Sequence, residues 1–367
     1  MTREAPPELL LPTGSSGAGW RLVNLLAPLM ALVLVIFVGG LTEYYREGTY
    51  NYWSLQNQCL ILTQTATVIM GAIGMTLIII AGGIDLSAGS LIALSAVASA
   101  MAVRFLATPG ARLDGSEAVW LPLVAMVVGV GVGAVAGAAN GILITSLRLV
   151  PFIVTLGMMT FARGGAKLIA GQQRIDAPSN WLSDFTSANL TPLWWDVQVG
   201  PYLLSIHWTQ SIVFSSAVVL TFILAIGMSI VLGRTQFGRH VFAIGSNEAT
   251  ARLCGVRVER TKCIIYALGG AMFGLAGVTD FGRLTVGDPT TALGKELDII
   301  AAVVIGGGSL NGGSGGVLGS LIGALLMAHL RNLCVHLGLL NAVQEMVVGA
   351  VIIVAVFLDK LRQRKRE

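Results

Sequence analysis

Charge is scarce in this sequence. Asp, Glu, Lys and Arg together supply 11% of its 367 residues, whereas soluble globular domains carry roughly 25%. Hydrophobic residues supply 54% and the mean hydropathy is +0.79. A chain so poor in charge cannot cover itself with a water-compatible surface. That excludes an ordinary soluble domain and makes lipid the expected solvent. Cysteine is scarce too. Cys59, Cys254, Cys263 and Cys334 form no CxxC pair and share no metal-ligand spacing, which excludes a disulfide framework and a zinc-type cluster. The histidines at 207, 240, 329 and 336 are equally scattered. No metal site and no cofactor are expected.

Nucleotide-binding signatures are missing as well. GDPTTALGKE (Gly287 to Glu296) has too long a spacing between Gly287 and Gly294, and Glu296 stands where a P-loop needs Ser or Thr. GVGAVA (Gly131 to Ala136) echoes a dinucleotide fingerprint but follows no strand and lies inside an apolar run. No stretch encodes a soluble domain. The chain itself is not expected to be an enzyme, and any energy source beyond an ion gradient must come from another chain. Nothing points to nucleic acid.

What the sequence has in plenty is long apolar runs and 46 glycines. A bilayer core of about 30 Å needs about 20 helical residues. By that ruler about ten segments emerge: 22–40, 59–81, 88–107, 120–144, 151–170, 212–232, 263–279, 297–308, 317–337 and 341–358. The expected fold is therefore all-α, a polytopic helical bundle. The eighth segment is too short to span alone and reads as broken or re-entrant. The first is too long for a signal-peptide core, contains Pro28 and lacks an A-x-A site, so it reads as a retained helix.

Lys and Arg set the orientation. The loop 233–262 carries Arg234, Arg239, Arg252, Arg257, Arg260 and Lys262, and the tail 359–367 carries Lys360, Arg362, Arg364, Lys365 and Arg366. Both are expected in the cytoplasm, together with the N-terminal tail 1–21. The membrane domain is then 22–358, with 171–211 as the longest outer loop. Six of the seven Trp fall on or beside the outer side: Trp53, Trp120, Trp181, Trp194, Trp195 and Trp208. Such a belt anchors at an interface, and its one-sidedness also suits a surface that meets a partner.

Glycines recur every four residues at 129, 133, 137 and 141, and again at 315, 319 and 323. That spacing puts them on one helical face for close helix packing.

Two runs break this apolar pattern. In GGIDLSAGS, Gly82 and Gly83 should stop one helix, and Asp85 or Ser87 should cap the next. Asp85 is the sole charged residue between Glu47 and Arg104. It reads either as a capping group or as a group lining a cavity, since broken helices survive in lipid only inside protein or beside water. In the second half, Gly306, Gly307 and Gly308 interrupt AVVIGGGSLNGGSGG in the same way. Paired glycine breaks suit a two-fold internal repeat with a site between repeats. Asp85, Ser87, Asn140, Asn311 and Glu345 are the candidate groups along a polar path, with Asn140 and Glu345 expected to face protein rather than lipid.

The hydrophilic stretch FAIGSNEATARLCGVRVERTK (Phe242 to Lys262) predicts a short helix of about two turns. Ser246 is its expected N-cap, Glu248 sits in the first turn where the dipole favours an anion, and Gly255 is its stop. It reads as a topology-setting loop or as a docking helix.

GGIDLSAGS, NGILIT, PFIVTLGMM, AIGSNEATARLCGVRVERTK and ELDIIAAVVIGGGSLNGGSGGVLGSLIGALLM together resemble the ribose-type permeases of bacterial ABC sugar importers, over about residues 63–359. The resemblance implies a homodimeric or heterodimeric channel in the inner membrane, a cytoplasmic ATPase pair, and a periplasmic binding protein that delivers a monosaccharide. It implies that Ser246, Asn247, Glu248, Ala251, Arg252, Gly255 and Arg257 form the helix that docks on the ATPase. One departure is Ser314, where the family often has a basic residue. Two rival classes stand beside it. An ion-coupled transporter would use Asp85 as a relay, though most spans hold no acidic partner for it. A scaffold or receptor would leave the glycine breaks without purpose.

Overall fold

The computed structural model describes residues 17–107, 115–178, 182, 185–186, 189–190 and 214–364. Trp181, Trp194, Trp195, Trp208 and Tyr202 lie outside the described residues, as do most of the predicted N-terminal tail and most of the 171–211 loop. The helices, in order, are α1 (Gly17–Glu47), α2 (Leu55–Ile80), α3 (Ala88–Leu106), α4 (Gly115–Ser146), α5 (Pro151–Ile169), α6 (Ser216–Arg234), α7 (Gln236–Ser246), α8 (Glu248–Leu253), α9 (Val258–Leu284), α10 (Lys295–Ile305), α11 (Val317–His336) and α12 (Asn341–Arg364). Each predicted apolar segment coincides with one of them. Among the described residues, 8 helices are long and apolar enough to cross a membrane. Asn341–Phe357 within α12 is a shorter apolar stretch. α10, at 11 residues, is the half-length element that its sequence requires.

Strands are limited to two-residue pairs among the described residues. β1 (Ile175–Asp176) pairs antiparallel with β4 (Val286–Gly287), and β2 (Asn189–Leu190) with β3 (Phe214–Ser215). The first pair ties the segment after α5 to the end of α9.

α2 occupies the centre. Its residues from Ile69 to Ile80 are buried on every face, as expected for a helix that is apolar all round. α6, α7, α9, α10 and α11 surround it. Lipid is as apolar as these side chains, so burial alone cannot hold the bundle together; close packing of small residues does. α4 and α9 show how. A Cβ on Gly133 would overlap Gly270 O and lie 2.7 Å from Gly274 Cα, and one on Gly141 would lie 2.7 Å from Cys263 Cα. The four-residue glycine ladder of α4 is therefore a contact seam. On α11 the seam is shorter than its sequence suggests. Gly319 and Gly323 face Gly306 and Ala302 of α10, but Gly315 precedes the helix, at φ +147°.

Helix starts are capped as local chemistry dictates. Ser54 Oγ accepts from Asn57 N at 3.2 Å, and Thr235 Oγ1 accepts from Gly238 N at 3.2 Å. Each satisfies an amide with no partner inside its own helix.

Candidate functional site

Both predicted breaks are present, and they share one backbone pattern. After α2, Gly82 adopts φ +79°, its N–H donates to Ile79 O at 2.9 Å, and Gly83 N–H donates to Ile78 O at 2.9 Å. After α10, Gly307 adopts φ +91°, its N–H donates to Val304 O at 3.0 Å, and Gly308 N–H donates to Val303 O at 2.8 Å. A left-handed glycine closes each helix by returning two amides to its last carbonyls.

The first break is filled by side chains. Asp85 Oδ1 accepts from Ser87 N at 2.8 Å and from Ser87 Oγ at 2.5 Å. Asn140 of α4 donates through Nδ2 to Ser87 Oγ at 3.1 Å and to Asp85 Oδ2 at 3.5 Å. Thr155 of α5 donates through Oγ1 to Ile84 O at 3.3 Å and accepts from Leu86 N at 3.2 Å. Asp85, Ser87, Asn140 and Thr155 all have zero exposure. Three of the candidate polar groups thus converge in one closed network. Asp85 braces the turn before α3, while Ser87 stands at the N-cap position without a side-chain cap bond. Tyr266 of α9 completes the packing: its hydroxyl lies where a Cβ on Gly83 would fall.

The other two candidates do not join them. Asn311 lies exposed on the second break, and Glu345 is exposed on α12. Glu345 was expected to face protein. It sits in the first turns of α12, where this chain alone does not enclose it.

The two breaks touch. Gly313 N–H donates to Ile80 O at 2.8 Å, so the end of α2 is bonded to the second break. α7 ends on the same spot. A Cβ on Gly245 would overlap Ile80 O and lie 2.6 Å from Gly313 N, and a Cβ on Gly312 would lie 2.6 Å from Gly245 O and 3.0 Å from Gly82 Cα. Three backbones meet here at close range, with the small Ser246 side chain beside Gly313. Gly245 and Gly313 were not singled out by sequence reasoning. Their motifs were visible, but nothing along the chain says that residues 82, 245 and 312 are neighbours.

α8 follows immediately. Its N-cap is Asn247, whose side chain accepts from Thr250 N at 2.9 Å. Ser246 instead ends α7, because the cap must have extended backbone and Asn247 has it, at φ −160°. The helix has 6 residues, shorter than two turns, and Gly255 at φ +83° stops it. Ala251 is buried beside Ile244 and Val258, which fixes α8 to its flanks. Glu248, Arg252, Gly255 and Arg257 are exposed. Arg252 bonds Glu259 Oε1 at 2.5 Å and lies 3.6 Å from Glu248; Lys262 bonds Glu248 Oε2 at 2.6 Å. The hydrogen bond and charge of Glu259 push the Arg252 guanidinium above its ordinary value. Exposed ion pairs contribute little to stability, so this cluster orients α8 rather than holding the fold. Leu253, 88% exposed, projects from the end of the helix. Beside α8 opens a cavity of about 580 Å³, walled by Arg148, Val150 and Pro151 of the α4–α5 turn and by Glu248, Arg252 and Lys262.

An exposed, ion-braced helix thus sits with its root on two broken helices. Residues 58–356 match the family described as branched-chain amino acid transport system / permease component. The chain belongs to this permease family. It is 34% identical over 332 residues to the ribose import permease protein RbsC of Escherichia coli (strain K12), covering 90% of this chain and 92% of that one. It is 36% identical over 336 residues to RbsC of Bacillus subtilis (strain 168), covering 91% and 92%. It is 30% identical over 407 residues to the xylose transport system permease protein XylH of Escherichia coli (strain K12), covering all of both. No solved structure matches the chain at comparable significance. The permease is a multi-pass inner-membrane protein and a transport component rather than an enzyme.

Proposed function

We propose that this permease forms the membrane channel of an ABC importer for a monosaccharide such as ribose, xylose or galactose. The observation that carries the reading is the contact of Gly245, at the root of α8, with the ends of both broken helices. Loop 233–262, the N-terminal tail and the C-terminal tail are cytoplasmic, and the 171–211 loop faces outward. α8 docks on a cytoplasmic ATPase through Ser246, Asn247, Glu248, Ala251, Arg252, Gly255 and Arg257. A second permease copy, identical or related, completes the channel, and a periplasmic sugar-binding protein delivers the substrate.

The packing supports a mechanism of this kind. ATP closure in the partner moves α8. α7 is the rigid arm behind it, and Gly245 bears on Ile80 O and Gly313 N. The glycine junction is mostly backbone against backbone, held by the Gly313 N–H to Ile80 O bond, and a shift of α7 is carried straight to both breaks. The path then opens outward and inward in turn. The buried Asp85–Ser87–Asn140 network keeps the first break in register while the second moves.

The test is purification of the tagged chain in mild detergent, followed by ATPase assays with sugar-loaded binding proteins. An ATPase subunit should come with it, and hydrolysis should rise with one loaded partner. Arg252→Glu and Gly255→Pro should abolish uptake while the protein stays inserted. Normal uptake by both variants sinks the docking assignment. Uptake that collapses on dissipating the ion gradient, with ATP present, replaces it with ion coupling.

A further inference from the structure

The connection from α9 to α10 does not stay at the surface of the bundle. Residues 285–294 form β4 and turns, with no helix. A Cβ on Gly287 would lie 2.6 Å from Ala100 Cβ, and one on Gly89 would lie 2.5 Å from Ala292 O. Ala100 and Gly89 stand about 16 Å apart along α3, at the helical rise. The connection therefore runs down the side of α3, a helix long and apolar enough to cross a membrane. It meets the first turn of α3 before α10 begins. It is re-entrant. Its sequence is that of GDPTTALGKE, whose likeness to a P-loop failed on spacing.

Irregular backbone at membrane depth carries amides and carbonyls that lipid cannot satisfy. Here other parts of the chain supply partners. Arg163 of α5 donates through Nη1 to Pro289 O at 2.9 Å and to Thr291 O at 2.8 Å. Asp288 Oδ1 accepts from Thr290 N and from Thr290 Oγ1, both at 2.7 Å. Thr291 Oγ1 donates to Asp280 Oδ2 at 3.3 Å, and Lys295 Nζ lies 3.6 Å from the same oxygen. An arginine within a membrane helix is costly and calls for a function. Arg163 spends its charge on holding two carbonyls of this connection.

Part of the connection is uncovered: Leu293 is 75% exposed. Irregular backbone survives in a membrane only inside protein or beside a water-filled cavity, and a cavity of about 620 Å³ lies there. Leu293 lines it, with Gln64 of α2, Asn332 of α11 and three cations, Arg283, Lys295 and Arg331. Each cation keeps part of its side chain exposed, and Asp298 is the one carboxylate in the lining. Acyl chains would exclude such a lining, whereas water solvates it. Asp85, Ser87 and Asn140, where sequence reasoning placed the path, have no exposure at all.

We propose that the re-entrant segment 288–294 walls the water-filled path of solute through this permease, with Arg163 as the positioning residue that holds it there. The proposal rests on the transport reading and deepens it, by naming a wall of the path.

The test begins with single cysteines in a Cys254→Ser background, since Cys254 is the exposed native thiol. The purified permease is held in lipid nanodiscs, where both of its sides meet solvent. A charged methanethiosulfonate reagent attacks thiolate, which forms in water and not among acyl chains. Leu293→Cys and Gln64→Cys should react at least about tenfold faster than Val127→Cys, a position on α4 that is 73% exposed in the parent. In the whole importer, with its ATPase and binding protein in proteoliposomes, modification of Leu293→Cys should stop uptake of radiolabelled D-ribose, D-xylose or D-galactose. Arg163→Met should lower uptake and quicken amide exchange severalfold over residues 288–294 alone. Arg163→Lys, which still donates, should recover part of both. A rate at Leu293→Cys equal to that at Val127→Cys means that lipid or protein covers the segment, and overturns the wall. Fast labelling that leaves uptake untouched makes the cavity a dead end and overturns the path. Parental exchange in Arg163→Met removes Arg163 from its role. An unmodified complex that imports none of the three sugars with ATP present overturns the sugar-import reading, while the labelling rates judge the wall on their own.

Discussion

The two glycine breaks begin alike and end differently. Each closes its helix with a left-handed glycine and the same pair of returning amides. The break after α2 is then locked by Asp85, Ser87, Asn140 and Thr155, all fully buried. The break after α10 has no charged residue from Gly306 to Gly316, leaves Asn311 exposed, and closes on itself through Ser309 N–H to Ser314 O at 3.1 Å. Side-chain hydrogen bonds are directional and fix one arrangement. Backbone laid on backbone through glycine can slide. On the proposed mechanism the first break is the fixed partner and the second is the one that follows α7 and α8.

The largest effect should come from forcing the junction apart. Gly245→Val places branched carbons on Ile80 O, and overpacking of this kind costs about 1–3 kcal/mol even where neighbours can yield. Here the neighbours are backbone, so uptake should vanish and the melting temperature in detergent should fall. Full uptake would mean that α7 does not bear on the breaks.

Asp85→Ala should come next. It strips Ser87 and Asn140 of a buried hydrogen-bond partner, a loss of about 1–3 kcal/mol, read as a lower melting temperature. Asp85→Asn should recover part of the loss, because an amide oxygen still accepts. If Asp85→Ala leaves stability intact but stops transport, the residue works on the path rather than as a brace.

A paired substitution isolates the contact from the conformation. Gly82→Ala and Gly312→Ala both force a side chain into left-handed backbone, at φ +79° and +86°, for about 1 kcal/mol each. A Cβ on Gly82 meets nothing closer than 3.9 Å, whereas one on Gly312 meets Gly245 O at 2.6 Å. Gly312→Ala should therefore impair transport more than Gly82→Ala. Equal effects would remove the junction from the mechanism.

The smallest effect belongs to the cap. Asn247→Ala should loosen α8 by about 1 kcal/mol, seen as faster amide exchange over residues 248–253 and weaker stimulation of the ATPase. The bundle should melt as before.

Much of this was legible along the chain. The spans were legible because apolar length has a fixed ruler in a bilayer. The breaks were legible because in each the adjacent glycines lead into polar residues that can cap or turn the chain, unlike the spaced glycines of the α4 seam. α8 was found from Glu248 and Gly255, although its cap was read one residue early. Ser and Asn both cap helices, and only the extended backbone at Asn247 separates them. Asn140 was correctly expected to face protein. Glu345 is exposed in the single chain, since a lone acid in an apolar run does not say which neighbour will enclose it.

The sequence by itself determined the solvent, the helices and the places where they stop, since each depends on residues close together in the chain. Tertiary structure alone decided that Gly82, Gly245 and Gly312 form one junction. It alone decided that Asn140 reaches Asp85 and Ser87, and that Gln64 and Asn332 line one cavity. Such contacts join residues scores of positions apart, and a hydrogen bond or a close approach depends on distance in space, not on position along the chain.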